Sequence, residues 1–257
     1  MGIQSDWNPE LYLQFGNERT QPSLDLVSRI NLTHPEKIID VGCGPGNSTQ
    51  ILASRWSESR ICGIDNSPAM IEKARMDYPS REWEVNDARS IRGKWDLVFS
   101  NAVIQWIPDH ENLIEGLLSC VAAGGALAVQ VPLYFDMPVK KVVDEEARLF
   151  GSAKNFPVLE NIMTIHGADF YYDILSAGAK QVSLWKTSYL HVMDGHRSIV
   201  DMIRSTGMKP FLDALKTENE KTDFEANVVK NIKSRYPIRP DGKVLFPFER
   251  LFFIAYV

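Results

Sequence analysis

The chain has 257 residues, 28 Lys and Arg against 33 Asp and Glu, a formal net charge of −5 and 44% hydrophobic residues. That length suits one α/β domain with insertions, and the excess of acid argues against a broad nucleic-acid surface. No apolar run nears the ~20 residues of a membrane span, and the polar Gln4-Ser5-Asp6 lacks the basic-then-apolar plan of a signal peptide; a cytoplasmic protein is expected.

The opening segment carries Asp6-Trp7-Asn8-Pro9 with Tyr12, Phe15 and Arg19. Its amphipathic spacing predicts helices within 1–31 that close over a ligand site. The Arg19 fork there suits a carboxylate; a solvated helix face accounts for it equally well. From residue 36 onward strand-like and helix-like patterns alternate. Strands are expected at 37–42, 60–65, 81–86, 95–100 and 125–131, and helices at 46–56, 67–77 and 110–121. Such alternation builds βαβ units on a parallel sheet. Ser67-Pro68 is a helix start, with serine as N-cap and proline at the first helical position. Gly124-Gly125 punctuates the entry to the fifth strand.

After Pro132 the regular alternation stops. Residues 138–177 read as mostly helical, 182–192 as a strand, and 195–236 as helical and polar with breaks at Gly207 and Pro210. Val244–Val257 reads as an aromatic-rich strand. With no internal repeat and no linker, a single domain over 1–257 is expected, having a core at 36–131 and a helical insertion at 193–237. Cys43, Cys62 and Cys120 sit in or near apolar runs without metal-ligand spacing, so they read as buried thiols and no metal site is expected.

The stretch Ile38 to Thr49 carries the most chemistry: an apolar run, then Asp40, then Gly42, Gly44 and Gly46 at alternate positions. A glycine-rich turn between a strand and a helix brings backbone N–H groups against a ligand where a Cβ would intrude. The dinucleotide fingerprint G-x-G-x-x-G does not fit, because Asn47 stands where it wants glycine. Asp65 closes the second strand in Gly63-Ile64-Asp65, a position suited to accepting ribose hydroxyls or, more plainly, to capping the next helix.

The pattern D-x-G-x-G-x-G resembles the signature of the class I methyltransferases, which bind S-adenosylmethionine. That resemblance implies a Rossmann-like sheet of seven strands, the last antiparallel, with helices on both faces and a helical lid insertion. It implies that Asp40, Gly42, Gly44, Gly46 and Asp65 hold the cofactor, that Asp87 with Ala88 takes the adenine amino edge, and that Met70 lies over the adenine face. Asn101 and Ala102 then meet the methionine part, with Arg19 as a partner for its carboxylate, and Gln105 and Trp106 floor the acceptor pocket. Plain alternatives stay open: a turn cap for Asp87, ordinary core for Met70 and Trp106. Amide methyltransferases of this fold carry an Asn-Pro-Pro-Tyr type element where this chain has Asn101-Ala102-Val103-Ile104, which disfavours nitrogen acceptors.

The resemblance extends over nearly the whole chain to the trans-aconitate methyltransferase family. Ser5 to Leu13, Asp40 to Thr49, Gly63 to Ile71, Asn101 to His110, Ala128 to Pro132, Tyr171 to Leu175 and Phe246 to Phe252 carry it. The implied acceptor is a small-molecule tricarboxylate, with no nucleic acid, membrane or obligate protein partner. In an acidic protein such a ligand needs a local cluster of cations and donors. Arg204 and Arg250 lead, followed by Lys209, with Tyr171, Tyr172 and His166 as hydrogen-bond partners. No catalytic base is assigned, since a carboxylate oxygen is already an anionic nucleophile that needs alignment and desolvation. The rival readings are a methyltransferase for another carboxylate or a malonyl thioester on a carrier protein, and a silent cofactor-binding protein.

Overall fold

The computed structural model describes residues 16–150 and 156–257, with side chains from Thr20 onward. The aromatic opening segment through Phe15 and the Arg19 side chain lie outside the described residues.

Five parallel strands form the first part of the sheet. They are β1 (Lys37–Val41), β2 (Arg60–Asp65), β3 (Glu82–Val85), β4 (Trp95–Asn101) and β5 (Val121–Pro132). β1, β2 and β4 are largely buried, whereas β3 is mostly exposed at the sheet edge. Helices α1 (Gly16–Arg29), α2 (Asn47–Arg55), α3 (Pro68–Asp77) and α4 (His110–Ser119) precede or connect them. Two late strands, β6 (Gln181–Met193) and β7 (Val244–Tyr256), complete one seven-stranded sheet of order β3-β2-β1-β4-β5-β7-β6. The pairs β1–β2, β1–β4, β2–β3 and β4–β5 are parallel. β7 runs antiparallel to β5, as the bonds Gly124 N–H to Val257 O and Leu133 N–H to Glu249 O require.

Two units emerge from the contacts: Met1–Val131 with Thr164–Lys186 and Leu251–Val257, and Pro132–Met163 with Thr187–Arg250. The first holds the central strands, whose Ile38, Val41, Leu97, Val98 and Phe99 are almost wholly buried. Arg55 from α2 donates to the carbonyls of Val27 and Ile30, satisfying acceptors at the C-terminal end of α1. Ser67 caps α3, its Oγ accepting from Met70 N–H at 3.3 Å, with Pro68 at the first helical position; such a cap is worth about 1 kcal/mol. α6 (Ala168–Gly178) packs beside α4.

The second unit is built by α5 (Pro138–Phe150), α7 (His196–Arg204), α8 (Lys209–Asp213) and α9 (Glu218–Ile232). α9 packs on both α5 and α7. Phe224 stacks with Phe156 at 5.8 Å and meets Phe150 edge-on at 5.7 Å. The expected insertion at 193–237 falls inside this unit, which also takes in 132–163 and part of each late strand.

The fifth strand departs from expectation by starting at Val121, upstream of the two glycines. Gly124 at φ +80 lets the strand bulge, and the register with β4 shifts between Trp95 and Leu97 accordingly. Among the described residues, no helix is long and apolar enough to cross a membrane.

Candidate functional site

The site begins where β1 runs out at Val41. Gly42 and Cys43 N–H groups both donate to Ile64 O, at 2.8 and 2.9 Å, tying the turn to β2. All three glycines of the turn lie at positive φ, but they face different surroundings. A Cβ on Gly42 would sit 2.2 Å from a Val103 methyl carbon, and one on Gly46 would sit 2.8 Å from the Trp83 ring. Of the three, only Gly44 has no atom of the described residues within 4 Å of such a Cβ. The expectation that all three glycines clear room for a ligand is therefore corrected: two clear room for protein. α2 then starts at Asn47 with no side-chain cap, leaving first-turn N–H groups available.

Two carboxylates, Asp40 and Asp65, are tied to this turn and to the helix that follows it. Asp40 is completely buried, and its Oδ2 accepts from Ser48 and Thr49 hydroxyls, each at 2.6 Å. Its Oδ1 has no hydrogen-bond partner among the described residues. Burial pushes the Asp40 carboxyl up to about 6, although the two hydroxyls and the nearby Asp65 also act on it. Asp65 Oδ2 accepts from Gly44 N–H at 3.0 Å and Oδ1 from Ser67 N–H at 2.9 Å. Burial raises its pKa too, opposed by those N–H groups. The cap role and a ligand role are compatible here, since each carboxylate oxygen keeps a second lone pair.

Asp87 is held differently. Its oxygens take the backbone N–H, Nε and Nη2 of Arg89, at 2.8, 2.9 and 2.6 Å. That hydrogen-bonded arginine holds the carboxyl below its usual range. In this structure Asp87 caps the Ala88–Ser90 turn, so the plain alternative describes its present partners. Met70 is buried at the first turn of α3.

β4 ends at Asn101, on the same face as Phe99, the register partner of Asp40. Asn101 Oδ1 is buried without a hydrogen-bond partner among the described residues. Ala102 sits at φ 58, and Gln105 Nε2 donates to its carbonyl at 2.7 Å. That bond fixes the carboxamide orientation and leaves the buried Gln105 Oε1 unpartnered. Trp106, in the same turn, is half-buried.

The remaining acceptor candidates separate. Tyr171 is wholly buried, with its hydroxyl 2.8 Å from His110 Nδ1. Tyr172, its neighbour on α6, is half exposed. Arg204 and Arg250 belong to the second unit. Arg204 Nε pairs with the buried Glu225 at 2.8 Å, and Glu225 also holds Arg197 at 2.7 Å. Arg250 is 5% exposed, its guanidinium 4.5 Å from the Phe248 ring centroid. Lys209 pairs along its own helix with Asp213. The residues that sequence reasoning missed are supports: Val103 against Gly42, Trp83 against Gly46 and Gly63, Ser48 and Thr49 on Asp40. Only Ser48 and Thr49 had a signal, lying one helical turn beyond the glycines.

A methyltransferase-domain family matches residues 15–199. The trans-aconitate 2-methyltransferase of Enterobacter sp. (strain 638) is 40% identical over 253 residues, covering 98% of each chain. That of Azoarcus sp. (strain BH72) is 40% identical over 260 residues, covering 97% of this chain and 98% of its own. Among solved structures, the YcgJ protein of a Bacillus superposes with a TM-score of 0.59 at 12% identity, over 91% of this chain and 97% of its own. A Haemonchus contortus phosphoethanolamine N-methyltransferase 2, solved with S-adenosylhomocysteine, superposes with a TM-score of 0.57 at 16% identity, over 92% and 52%. Those two likenesses concern the fold. Matched across nearly its full length at this identity, the chain belongs to the trans-aconitate 2-methyltransferase family of methyltransferase-domain proteins.

Proposed function

We propose that this protein transfers the methyl group of S-adenosylmethionine to one carboxylate of trans-aconitate, giving the monomethyl ester and S-adenosylhomocysteine. The observation that carries the reading is the similarity to enzymes of that name across 98% of the chain, which takes in both units. The donor side also fits on its own geometry. Among the described residues, Gly44 faces open space, Asp65 stands beside it, and Asp40 Oδ1 and Asn101 Oδ1 are buried acceptors lacking donors. An ammonium group and ribose hydroxyls are the donors such a set calls for.

Bound S-adenosylmethionine supplies an electrophilic methyl on a positively charged sulfur, which becomes a neutral thioether as the ester forms. Everything else falls to the chain. Asp65 takes hydroxyl donors, Asp40 and Asn101 face the ammonium, and the α2 N-terminus favours a carboxylate. Gln105 and Trp106 are the candidates to border the acceptor, and the family resemblance names Arg204 and Arg250 as candidates for its counter-charge. The acceptor oxygen is already anionic, so no side chain has to remove a proton; the site works by aligning the oxygen with the methyl and stripping water from it.

Purified protein given labelled S-adenosylmethionine with trans-aconitate, cis-aconitate, isocitrate or citrate tests this. Label should pass to trans-aconitate most strongly. Preference for another acid on the panel replaces the substrate, and no transfer to any, with cofactor binding intact, overturns the reading.

A further inference from the structure

His110 and Tyr171 form a buried pair with no part in the chemistry above. His110 opens α4 and is 1% exposed. Its Nε2 lies 2.8 Å from Ile104 O and its Nδ1 2.8 Å from the Tyr171 hydroxyl. A carbonyl can only accept, so Nε2 carries the proton and Nδ1 accepts from the Tyr171 O–H. The Tyr171 ring stacks on Phe253 at 5.0 Å. Both rings are locked in one rotamer and one tautomer.

What they hold is the turn after β4. Three bonds converge there: His110 Nε2–H to Ile104 O, Thr164 N–H to Gln105 O at 2.8 Å, and Gln105 Nε2–H to Ala102 O at 2.7 Å. The turn needs holding, because Ala102 sits in the left-handed region at φ 58; for a residue with a Cβ that costs about 1–2 kcal/mol. His110 is the only one of these anchors whose own position depends on a second side chain, Tyr171.

We infer that His110 and Tyr171 are positioning residues: together they keep the 102–106 turn in the shape that presents Gln105 and Trp106 to the acceptor. The last step rests on the proposed methyl-transfer reading; the clamp itself does not. Tyr171 thereby exchanges the ligand-contact role expected of it for one exerted through His110 and Ile104.

Tyr171→Phe removes a single hydroxyl and keeps the ring. Methyl transfer should slow about tenfold, the scale of one well-made hydrogen bond, while cofactor affinity stays within about twofold. His110→Gln retains an amide donor for Ile104 O and should recover most of the rate that His110→Leu loses. Hydrogen exchange supplies a readout free of the acceptor's identity. Trp106 and Ile107 amides, which bond back to Val103 and Ile104, should exchange about tenfold faster in Tyr171→Phe, and those of Gly42 and Cys43 should not change. An unaltered rate in an active parent's Tyr171→Phe, cofactor affinity falling in step with rate, or unchanged exchange at 106–107 each overturns the inference. A parent inactive on the whole acid panel overturns the proposed function instead, and the exchange result still decides the clamp.

Discussion

The Gly44 amide nitrogen lies 3.0 Å from Asp65 Oδ2, so the carboxylate at the end of β2 reaches across to hold the glycine turn at the end of β1. Loop shape and the proposed ligand site thus share one side chain. Asp65→Asn keeps the size and one acceptor but loses the charge and one lone-pair face. Cofactor affinity measured by calorimetry should fall about 10- to 100-fold, the scale of a hydrogen bond to a charged group. The melting temperature should move little. A collapsed melting temperature with unchanged affinity would assign Asp65 to the loop alone.

Asp40 gives a pH dependence whose sign can be worked out. Its folded-state pKa of about 6 stands above the ordinary aspartate value of 3.8, so the folded free protein binds this proton more tightly than the unfolded chain. From about pH 4 to 6 this group therefore makes the free protein less stable as pH rises. Cofactor binding goes the other way, because an ammonium beside Asp40 favours the carboxylate. Affinity should climb with pH, approaching tenfold per unit below about 6, then level off. Asp65, which also raises Asp40, moves the level-off point to higher pH, and the Ser48 and Thr49 hydroxyls move it to lower pH. Asp40→Asn should flatten the profile; a parent profile already flat from 5 to 7 would remove Asp40 from the site.

The glycines separate stability from binding. Gly44→Ala adds a methyl to open space at a left-handed position, so about 1–2 kcal/mol of strain is expected with a larger loss of cofactor affinity. Gly42→Ala drives a Cβ into Val103 and should cost more in stability, about 1–3 kcal/mol for an overpacked contact plus the strain. Denaturant melts beside cofactor titrations of the two variants check the contrast. Equal effects on both quantities would mean that Gly44 is structural too.

Arg250→Met and Arg204→Met test the acceptor side. Each should raise the KM for trans-aconitate about tenfold or more while cofactor affinity holds. Arg204→Met also leaves the buried Glu225 with Arg197 alone, so its melting temperature should fall further than that of Arg250→Met. If both variants keep the parent's KM, the counter-charge lies elsewhere.

The parallel strands were legible because β-branched runs bounded by turn residues have few other fates, and Ser67-Pro68 announced α3 by cap chemistry that needs no tertiary context. Gly124 misled, since a glycine pair reads as a boundary while the strand passes through it by bulging. The separate duties of Gly42, Gly44 and Gly46 were illegible: Val103 and Trp83, which decide them, are far away in sequence. Tyr171 was misjudged for a related reason. A tyrosine pair on a helix presents one ring inward and one outward, and only the packing against Phe253 and His110 says which is which.

The division of the first unit among three stretches of chain bears on how this protein is made. Val257 pairs with Gly125, and β7 lies between β5 and β6, so the strand that closes the sheet follows both of its partners in the chain. Until β7 docks, β5 is open on that side and β6 has no partner strand. Such long-range closure is slow and leaves sticky strands bare, which makes the newly made chain, rather than the finished one, the form most in need of a chaperone.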